Sequence, residues 1–344
     1  MEDLLIRGGQ VIDGSGTPAR RADVAIKDGR ITAAGDCTGR EAEREIDASG
    51  QIVAPGFIDI HTHSDFTLPL NPLAESKIRQ GVTTEVVGNC GYSTAPVLPG
   101  KAEALQDYLR AGAPWLDYEP RTFAQYLEGF PATSVNTVMQ VGHATLRLMA
   151  MGLEARDPTA GELSHMQQLL SEGLEAGALG MSTGLFTAPG NYAKSEELLA
   201  LAGVLRQHGA TYASHIRDEA NHVFEAVREA IDIGQSAGVR VQIAHLKLSG
   251  TDNWGNVPSL LSMISEARER GVDLFCDQYP YTAGTNPLRN LLPVWVQEGG
   301  VDPMLQRLRD GEEDHGATEI VNGTSERQMR NQFAAWRRFM IASM

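Results

Sequence analysis

The sequence predicts an α/β protein: a TIM-like (β/α)8 barrel, incomplete at its carboxyl end, preceded by a small β-sandwich unit. From Pro55 onward, seven short apolar strands alternate with helical segments, which is typical of parallel βαβ units. A closed barrel of this type has eight strands. Before Pro55, stretches rich in β-branched residues are separated by turn signals. We therefore expect a β-sandwich unit at residues 1–53 and a barrel at residues 54–344 that lacks its last strand.

The amino-terminal unit is predicted from three strand-like stretches, Asp3–Ile12, Asp23–Ile31 and Arg44–Val53. Glycine-containing turn segments, Asp13–Gly16 and Lys27–Arg30, separate them. Short strands joined by such turns usually pair with their sequence neighbours. The sequence therefore predicts a small antiparallel β unit here.

The predicted barrel strands are short apolar runs. They are Gly56–His61, Thr83–Gly88, Asn136–Gly142, Ala178–Ser182, Thr211–His215, Arg240–His245 and Asp273–Tyr279. The predicted helices between them are Ala160–Ala176, Ser195–His208, Glu219–Ala237 and Ser259–Arg270. The carboxyl ends of these strands should meet at one face of the barrel, where barrel active sites form.

The net charge of the chain argues against some classes of binding partner. The 344-residue chain has a formal net charge of −15, and no cluster of Lys and Arg interrupts it. The resulting field repels nucleic acid and anionic membrane surfaces. The longest apolar runs are too short to span a bilayer. We therefore expect no nucleic acid or membrane partner, and a small molecule as substrate.

The amino terminus and the cysteines indicate the compartment. The segment Met1–Leu4 is acidic, whereas a secretory signal begins with positive charge. Cys37, Cys90 and Cys276 are widely spaced and odd in number, so they form no disulfide framework. A reducing cytoplasm is the expected location.

The first candidate site follows a Pro-Gly turn and an apolar strand. His61 and His63 close that strand as a His-x-His pair. Residues i and i+2 of a strand face the same side, so both imidazoles should point into the barrel mouth. Two neutral imidazoles so placed can bind one metal ion, whereas a single histidine there would be an ordinary loop residue.

Three further side chains follow other predicted strands. Cys90 lies between Asn89 and Gly91 after the second strand, while His215 and His245 end the fifth and sixth. Each alone is more often a packing residue than a ligand. Together with His61 and His63 they form a ring of nitrogen and sulfur donors at one end of the barrel, which predicts a metal site.

At this point the motifs resemble a known family, the N-acyl-D-amino-acid deacylases (D-aminoacylases) of the amidohydrolase superfamily. The resemblance covers nearly the whole chain. The segments that carry it are Leu5–Gly9, Val11–Gly14, Pro55–His63, Gly88–Gly91, Ser214-His215, Ala244–Lys247 and Tyr279–Gly284. The segment around Cys90 is the specific one, since the wider superfamily shares the front motifs.

The resemblance implies a zinc cofactor and a set of roles. Zinc would be held tightly by Cys90, His215 and His245, and more weakly at a second site by His61 and His63, with the Cys able to bridge. Three other residues align with positions expected to touch substrate: Lys247, Tyr279 and Thr285. Tyr281 is an alternative to Tyr279.

One departure concerns catalysis. The family carries an essential Asp at the end of the eighth strand, and no Ser-Asp-Gly type segment follows Tyr281. The sequence therefore identifies no catalytic residue in this chain. We expect a carboxyl-terminal truncation that leaves barrel edges open and an isolated chain that is poorly soluble and essentially inactive.

The family activity would be hydrolysis of the amide of an N-acyl-D-amino acid to a carboxylate and a free D-amino acid. Two rivals stay open. A cyclic amidase of the hydantoinase or dihydroorotase type would use a carboxylated Lys on the fourth strand, but residues 178–183 contain no Lys. The second rival is a metal-binding remnant without catalysis, which stays open because the eighth-strand Asp is missing.

Overall fold

The computed structural model describes residues 1–281 and 287–313. The chain divides into two compact units. The amino-terminal unit comprises residues 1–57 and 81–83, and the barrel unit comprises residues 58–80 and the described chain from residue 84 onward. The predicted limits of the two domains, 1–53 and 54–344, stay a prediction.

The amino-terminal unit contains one five-stranded sheet. Its strands are β1 (Glu2–Val11), β2 (Arg20–Lys27), β3 (Arg30–Gly35), β4 (Ala42–Asp47) and β5 (Ile52–Val53). Leu5, Ala25 and Cys37 form a buried apolar cluster against this sheet. The second layer implied by a sandwich stays a prediction.

The strand directions correct one expectation for this unit. Strand β1 pairs antiparallel with β2, and β2 with β3, as predicted. Strands β4 and β5 instead pair parallel with β1. The reason is topological: β1 and β3 already occupy both edges of β2, so the chain crosses to the free edge of β1. The prediction of a purely antiparallel unit is therefore wrong.

The seven predicted barrel strands are all present, and the third is broken into two pieces. They are β6 (Phe57–Asp59), β7 (Val82–Val87), β8 (Asn136–Met139), β9 (Val141–Gly142), β10 (Gly180–Gly184), β11 (Thr211–His215), β12 (Arg240–Ile243) and β13 (Leu274–Cys276). The break falls at Gln140, so that β6-β7-β8 form one sheet and β13-β12-β11-β10-β9 another. Each recorded register from β7 to β13 is parallel, which confirms the α/β prediction.

Helices lie between these strands. They are α1 (Glu75–Ile78), α2 (Ala102–Leu109), α3 (Phe123–Gly129), α4 (His143–Met151), α5 (Ala160–Glu175), α6 (Ser195–His208), α7 (Val223–Ala237), α8 (Val257–Glu269) and α9 (Val301–Glu313). Thr159 and Glu162 form a capping box at the start of α5, and glycines in the left-handed conformation end α6 and α7. These signals explain why the predicted bounds agree closely with the structure.

One helix begins later than predicted. Helix α7 begins at Val223 and not at Glu219. The Asp218 carboxylate accepts hydrogen bonds from the backbone N–H groups of Ala220 and His222, and this local turn competes with the helix. Glu219 is therefore free of the helix.

The apolar core lies between the strands and the surrounding helices. Met181, Tyr212 and Val241 on the strands are fully buried, as are Leu170 and Leu205 on the helices. This packing fixes the strands and so fixes the positions of the residues that follow their carboxyl ends. Among the described residues, no helix is both long and apolar enough to cross a membrane.

Candidate metal centre

The five predicted ligands all lie at carboxyl ends of barrel strands. His61 and His63 follow β6, Cys90 follows β7, His215 is the last residue of β11, and His245 follows β12. The sequence predicted a strand that ends at His61, but β6 ends two residues earlier, at Asp59. His61 and His63 therefore lie in the loop after β6. Their ring centroids are nevertheless only 5.7 Å apart.

Four of these residues converge on a common space. Sγ of Cys90 lies 3.2 Å from Nε2 of His61 and 3.6 Å from Nε2 of His245. Nε2 of His245 lies 3.0 Å from Nδ1 of His215. Two ligands of one tetrahedral zinc, at bond lengths of about 2.0 to 2.3 Å, are themselves roughly 3.3 to 3.6 Å apart. The three measured distances lie within or slightly below this range, and thiolate and imidazole are the ligand types that zinc takes.

His63 stands at the edge of this cluster. Its ring stacks on Phe66, with centroids 5.8 Å apart, and its Nδ1 is buried without a hydrogen-bond partner. Buried polar atoms are almost always satisfied, so an unpartnered ring nitrogen on a side chain that contacts Cys90 fits a metal ligand. Nε2 of His215 is a second buried atom of this kind.

The backbone around Cys90 explains why its neighbours are glycines. Cys90 has a φ of 55°, a left-handed conformation that is uncommon for a non-glycine residue. A Cβ on Gly91 would lie 2.7 Å from the backbone nitrogen of Gly184, and a Cβ on Gly184 would lie 2.1 Å from the carbonyl oxygen of Cys90. Ser182 Oγ accepts from the Gly91 N–H at 3.0 Å. Close backbone contact thus holds the thiol in place, at a strained position of the kind that clusters at functional sites.

Charge in the cluster also favours a cation. Burial alone would raise the pKa of the Cys90 thiol, but hydrogen bonds from the surrounding histidines hold it well below its usual range. Burial would lower the pKa of His61, yet contacts with Asp277 and Cys90 raise it to about 10. Similar contacts with Cys90 and Glu219 outweigh burial and raise the pKa of His245 to about 9. Protonated imidazoles therefore balance the charge of the thiolate, and a divalent cation would displace their protons on binding.

Glu219 is a site residue that the sequence interpretation missed. Its Oε1 lies 3.0 Å from Nδ1 of His245 and 3.7 Å from Nε2 of His215. Burial opposes its ionisation, but the neighbouring histidines and Lys247 lower its pKa to about 2. The same oxygen accepts from the Lys247 ammonium. Its position four residues after His215 was the available signal.

Lys247 and Tyr279, two predicted substrate-binding residues, lie beside this carboxylate. The Lys247 ammonium is 2.9 Å from Nδ1 of His245 and 5.6 Å from the centre of the Tyr279 ring. Tyr281, the alternative to Tyr279, stacks on it with centroids 4.9 Å apart. The third predicted residue, Thr285, lies outside the described residues, as does the chain beyond residue 313.

Asp277 is the second missed residue. It follows β13, and both of its carboxylate oxygens lie 3.3 Å from Nδ1 of His61. The histidine contact outweighs burial and lowers the pKa of Asp277. A lone acidic residue after a strand has no characteristic spacing, which is why the sequence interpretation passed over it.

A buried ion cluster supports the His-x-His loop from below. Lys77 Nζ lies 3.0 Å from Oε1 of Glu85, which is fully buried, and also contacts Asp59. Asp59 Oδ1 accepts from the His61 N–H at 3.2 Å. Ser64 Oγ donates to the same Glu85 oxygen at 2.8 Å. These bonds tie the residues on either side of the His-x-His pair to α1 and β7.

His143 lies outside the ligand cluster. It is the first residue of α4, not the end of a strand, and its Nε2 lies 2.8 Å from Oε1 of Glu197 on α6. Glu197 also pairs with Arg147, which is fully buried. These contacts join α4 to α6 and give His143 a structural role in the packing of the two helices.

With this geometry established, the family can be stated. The sequence profile described as "Amidohydrolase family" matches residues 44–329, so the chain belongs to the amidohydrolase family. Two curated relatives come from Alcaligenes xylosoxydans xylosoxydans. Its N-acyl-D-glutamate deacylase is 44% identical over 289 residues, which are 83% of this chain and 58% of that protein. Its D-aminoacylase is 42% identical over 289 residues, 83% of this chain and 59% of that protein.

A solved structure supports the fold. The N-acyl-D-glutamate deacylase from Bordetella bronchiseptica, complexed with zinc and a phosphonate inhibitor described as a mimic of the tetrahedral intermediate, aligns with a TM-score of 0.74. The two chains are 43% identical, and the alignment covers 81% of this chain and 59% of that one. These comparisons confirm the predicted fold and the resemblance to the D-aminoacylases.

The chain spans about three fifths of the length of the curated deacylases that it matches. A dihydroorotase from Thermoanaerobacter sp. is only 26% identical, over 94% of this chain. The cyclic amidases are thus the more distant relatives.

Proposed function

We propose that this chain contributes the metal centre of a zinc-dependent hydrolase that removes the acyl group from N-acyl-D-amino acids. The observation that carries the proposal is the series of short contacts that joins Cys90 to His215 through His245, with donor-atom distances of 3.6 and 3.0 Å. The names of the relatives, D-aminoacylase and N-acyl-D-glutamate deacylase, supply the class of substrate.

The donor set suggests two subsites. Cys90, His215 and His245 would hold zinc tightly, because thiolate and imidazole are its preferred ligands. His61 and His63 would hold a second, weaker ion, with Sγ of Cys90 close enough to His61 to be shared. We name these the thiolate subsite and the His-x-His subsite. The buried, unpartnered Nδ1 of His63 supports the second assignment.

The chain's own residues prepare this centre for amide hydrolysis. When bound, zinc would polarise the amide carbonyl and lower the pKa of a water molecule. Glu219 accepts from Nδ1 of His245 and thereby presents Nε2 to the thiolate subsite. Asp277 does the same for His61. Both carboxylates are occupied in this way, so we assign neither as the acceptor of the water's proton.

Lys247 and Tyr279 are proposed to bind the substrate. The Lys247 ammonium lies at the mouth of the centre, over the Tyr279 ring, and could bind the carboxylate of an N-acyl amino acid. Because that ammonium is already bonded to Glu219, the substrate carboxylate would have to compete with or add to that ion pair. Thr285 stays a proposal from the family resemblance alone.

Two remaining parts of the proposal concern rivals and location. Strand β10 carries Ser182 and Thr183 and no Lys, so the bridging ligand of a cyclic amidase is not supplied there.

The three cysteines are unpaired, which supports a cytoplasmic location. The proposed ligands are small molecules, not macromolecules.

The test combines metal analysis with substrate comparison. Zinc content is measured on the purified 344-residue chain, and turnover is measured on this chain and on a version extended by the carboxyl-terminal part of the D-aminoacylase relative. N-acetyl-D-methionine, N-acetyl-D-glutamate, their L-enantiomers and hydantoin are compared. The proposal requires bound zinc, and hydrolysis of an N-acetyl-D-amino acid by the extended version. Hydantoin hydrolysis instead would identify a cyclic amidase, and zinc without any turnover a metal-binding remnant.

A further inference from the structure

We propose that Asp277 is a positioning residue shared by both subsites of the metal centre, because it holds the ring of His61 and the backbone of His245 at the same time. The inference rests on the proposed metal centre and adds a residue that the ligand motifs do not contain. It makes the two subsites parts of one unit and not two independent sites.

The carboxylate contacts three groups. Both oxygens lie 3.3 Å from Nδ1 of His61. Oδ1 also accepts the backbone N–H of His245 at 2.7 Å. Oδ2 accepts from Nε2 of Gln242 at 2.6 Å. The side chain is only 9% exposed, so these bonds operate away from bulk water, where charge-assisted hydrogen bonds are strongest.

The backbone of Asp277 adds a second clamp. Its N–H donates to the carbonyl of Ile243 at 3.1 Å, and its carbonyl accepts the N–H of Leu246 at 2.9 Å. Asp277 therefore binds the chain on both sides of His245. His245 itself has a φ of 35°, a left-handed conformation that persists only where the surroundings impose it. The bonds from Asp277 impose it.

Each contact has a different effect on the centre. At His61, a carboxylate at Nδ1 keeps the proton on that nitrogen and leaves Nε2 as the ligand, which here lies 3.2 Å from the Cys90 thiol. At His245, the bond to the backbone sets the direction of the whole residue and so of its Nε2. Partners of this kind typically change metal affinity by about 10- to 100-fold when removed.

Two substitutions separate the two contacts. Asp277→Asn retains Oδ1, which can accept from the His245 N–H, but it removes the negative charge at His61 and places an amide N–H against the donors His61 and Gln242. Asp277→Ala removes both contacts. Asp273→Asn and Asp273→Ala are matched controls, because Asp273 lies just before β13 and pairs with Arg240 at 2.8 Å on the surface.

The experiment titrates Cd²⁺ into the metal-free 344-residue chain. The thiolate subsite is followed by sulfur-to-cadmium absorption, and the second ion by 113Cd NMR and calorimetry. Thermal unfolding of each variant reports its folding separately. We expect Asp277→Asn to weaken the His-x-His subsite by about 10- to 100-fold and to leave the thiolate subsite within about twofold. Asp277→Ala should weaken both, and the Asp273 variants neither.

The outcomes are distinguishable. Unchanged affinity at both subsites in a folded Asp277→Asn variant overturns the shared role, as does an Asp277→Ala variant that affects one subsite alone. If Asp277→Ala does not fold, the selective loss in Asp277→Asn still decides the contact with His61. A Gln242→Glu variant, whose carboxylate repels Asp277, then replaces Asp277→Ala as the test of the contact with His245. If the unmodified chain binds no Cd²⁺, the metal centre itself is wrong and the inference is wrong with it.

Discussion

Nδ1 of His215 and Nε2 of His245 lie 3.0 Å apart, with their rings inclined at 85°. Two ring nitrogens that face each other at this distance must share a proton or a cation. Sγ of Cys90 lies 3.6 Å from the second of them, so Nε2 of His245 has both the thiol and the His215 ring as neighbours. The first two predictions follow from this arrangement.

Loss of the thiol should empty the thiolate subsite. We expect the purified chain to hold about one tight zinc, Cys90→Ala to lose it, and His61→Ala to retain most of it, because thiolate is the strongest ligand present. Zinc content per chain after dialysis against a weak chelator is the measurement. Cys37→Ala is the control, since this buried thiol belongs to the amino-terminal unit. Equal zinc retention in Cys90→Ala and Cys37→Ala would show that the assignment is wrong.

A methyl group added at Gly184, beside the backbone of Cys90, should weaken zinc binding almost as strongly as removal of the thiol. Gly184→Ala would bring a Cβ to 2.1 Å from the carbonyl oxygen of Cys90, so the backbone that carries the ligand must shift. We expect zinc affinity to fall by at least tenfold in a chain that still folds. Gly161→Ala, on α5 with open space around it, is the control and should favour the helix slightly. Competition with a fluorescent zinc chelator measures both, and wild-type affinity in Gly184→Ala contradicts the prediction.

Substrate binding should depend on Lys247. In an active, extended version of the chain, Lys247→Ala should raise KM more than tenfold for an N-acyl-D-amino acid, which is about 1.4 kcal/mol of lost binding. Lys194→Ala is the control, because this lysine forms an exposed pair with Asp157. Zinc content is measured alongside to separate substrate binding from loss of metal. A KM that stays at the wild-type value would show that Lys247 does not bind substrate and serves only in its ion pair with Glu219.

Stability should depend on pH through Asp65. Burial raises its pKa from 3.8 to about 6, and its Oδ1 has no hydrogen-bond partner. The folded state therefore holds a proton that the unfolded state has lost between about pH 4 and pH 6, so the free energy of unfolding falls as pH rises through this window. Asp65→Asn removes the charge and should stabilise the metal-free protein at pH 8 by up to roughly 3 kcal/mol.

The same variant should gain almost nothing below about pH 3, where the carboxyl is protonated in both states. Urea unfolding of both proteins across this range, in the presence of a chelator, measures the difference. Asp107→Asn, an exposed aspartate on α2, should leave the curve unchanged. A constant gap between wild type and Asp65→Asn at all pH values would exclude titration of Asp65 as the cause.

The sequence was sufficient for those parts of the site that follow from periodicity. The alternation of apolar strands and helices located all seven strands, and the carboxyl end of a parallel strand is where a barrel presents its side chains. His215 and His245 could therefore be assigned to one face before any coordinates existed. The predicted bounds of α5 and α6 agree with the structure, in which Thr159 caps the first helix and Gly209 ends the second.

Other parts depended on contacts between distant residues and could not be predicted. The break in the third strand falls where the Gln140 side chain bonds to Asn89, which lies 51 residues earlier in the chain. Glu219 and Asp277 are single carboxylates whose partners come from other strands. The parallel pairing of β4 with β1 depends on which sheet edge is free, and a strand pattern does not encode that edge.

The imidazole of His245 has a second consequence, which concerns the order of assembly. Its Nδ1 faces both an acceptor, Glu219, at 3.0 Å and a donor, Lys247, at 2.9 Å, and one nitrogen cannot serve both at once. A cation on Nε2 would leave the proton on Nδ1, where Glu219 accepts it. With that proton in place, the Lys247 ammonium cannot donate to the ring; it keeps its bond to Glu219, and its other N–H groups would face an incoming carboxylate. A bound cation would thus hold His245 in the protonation state that leaves those N–H groups available to substrate.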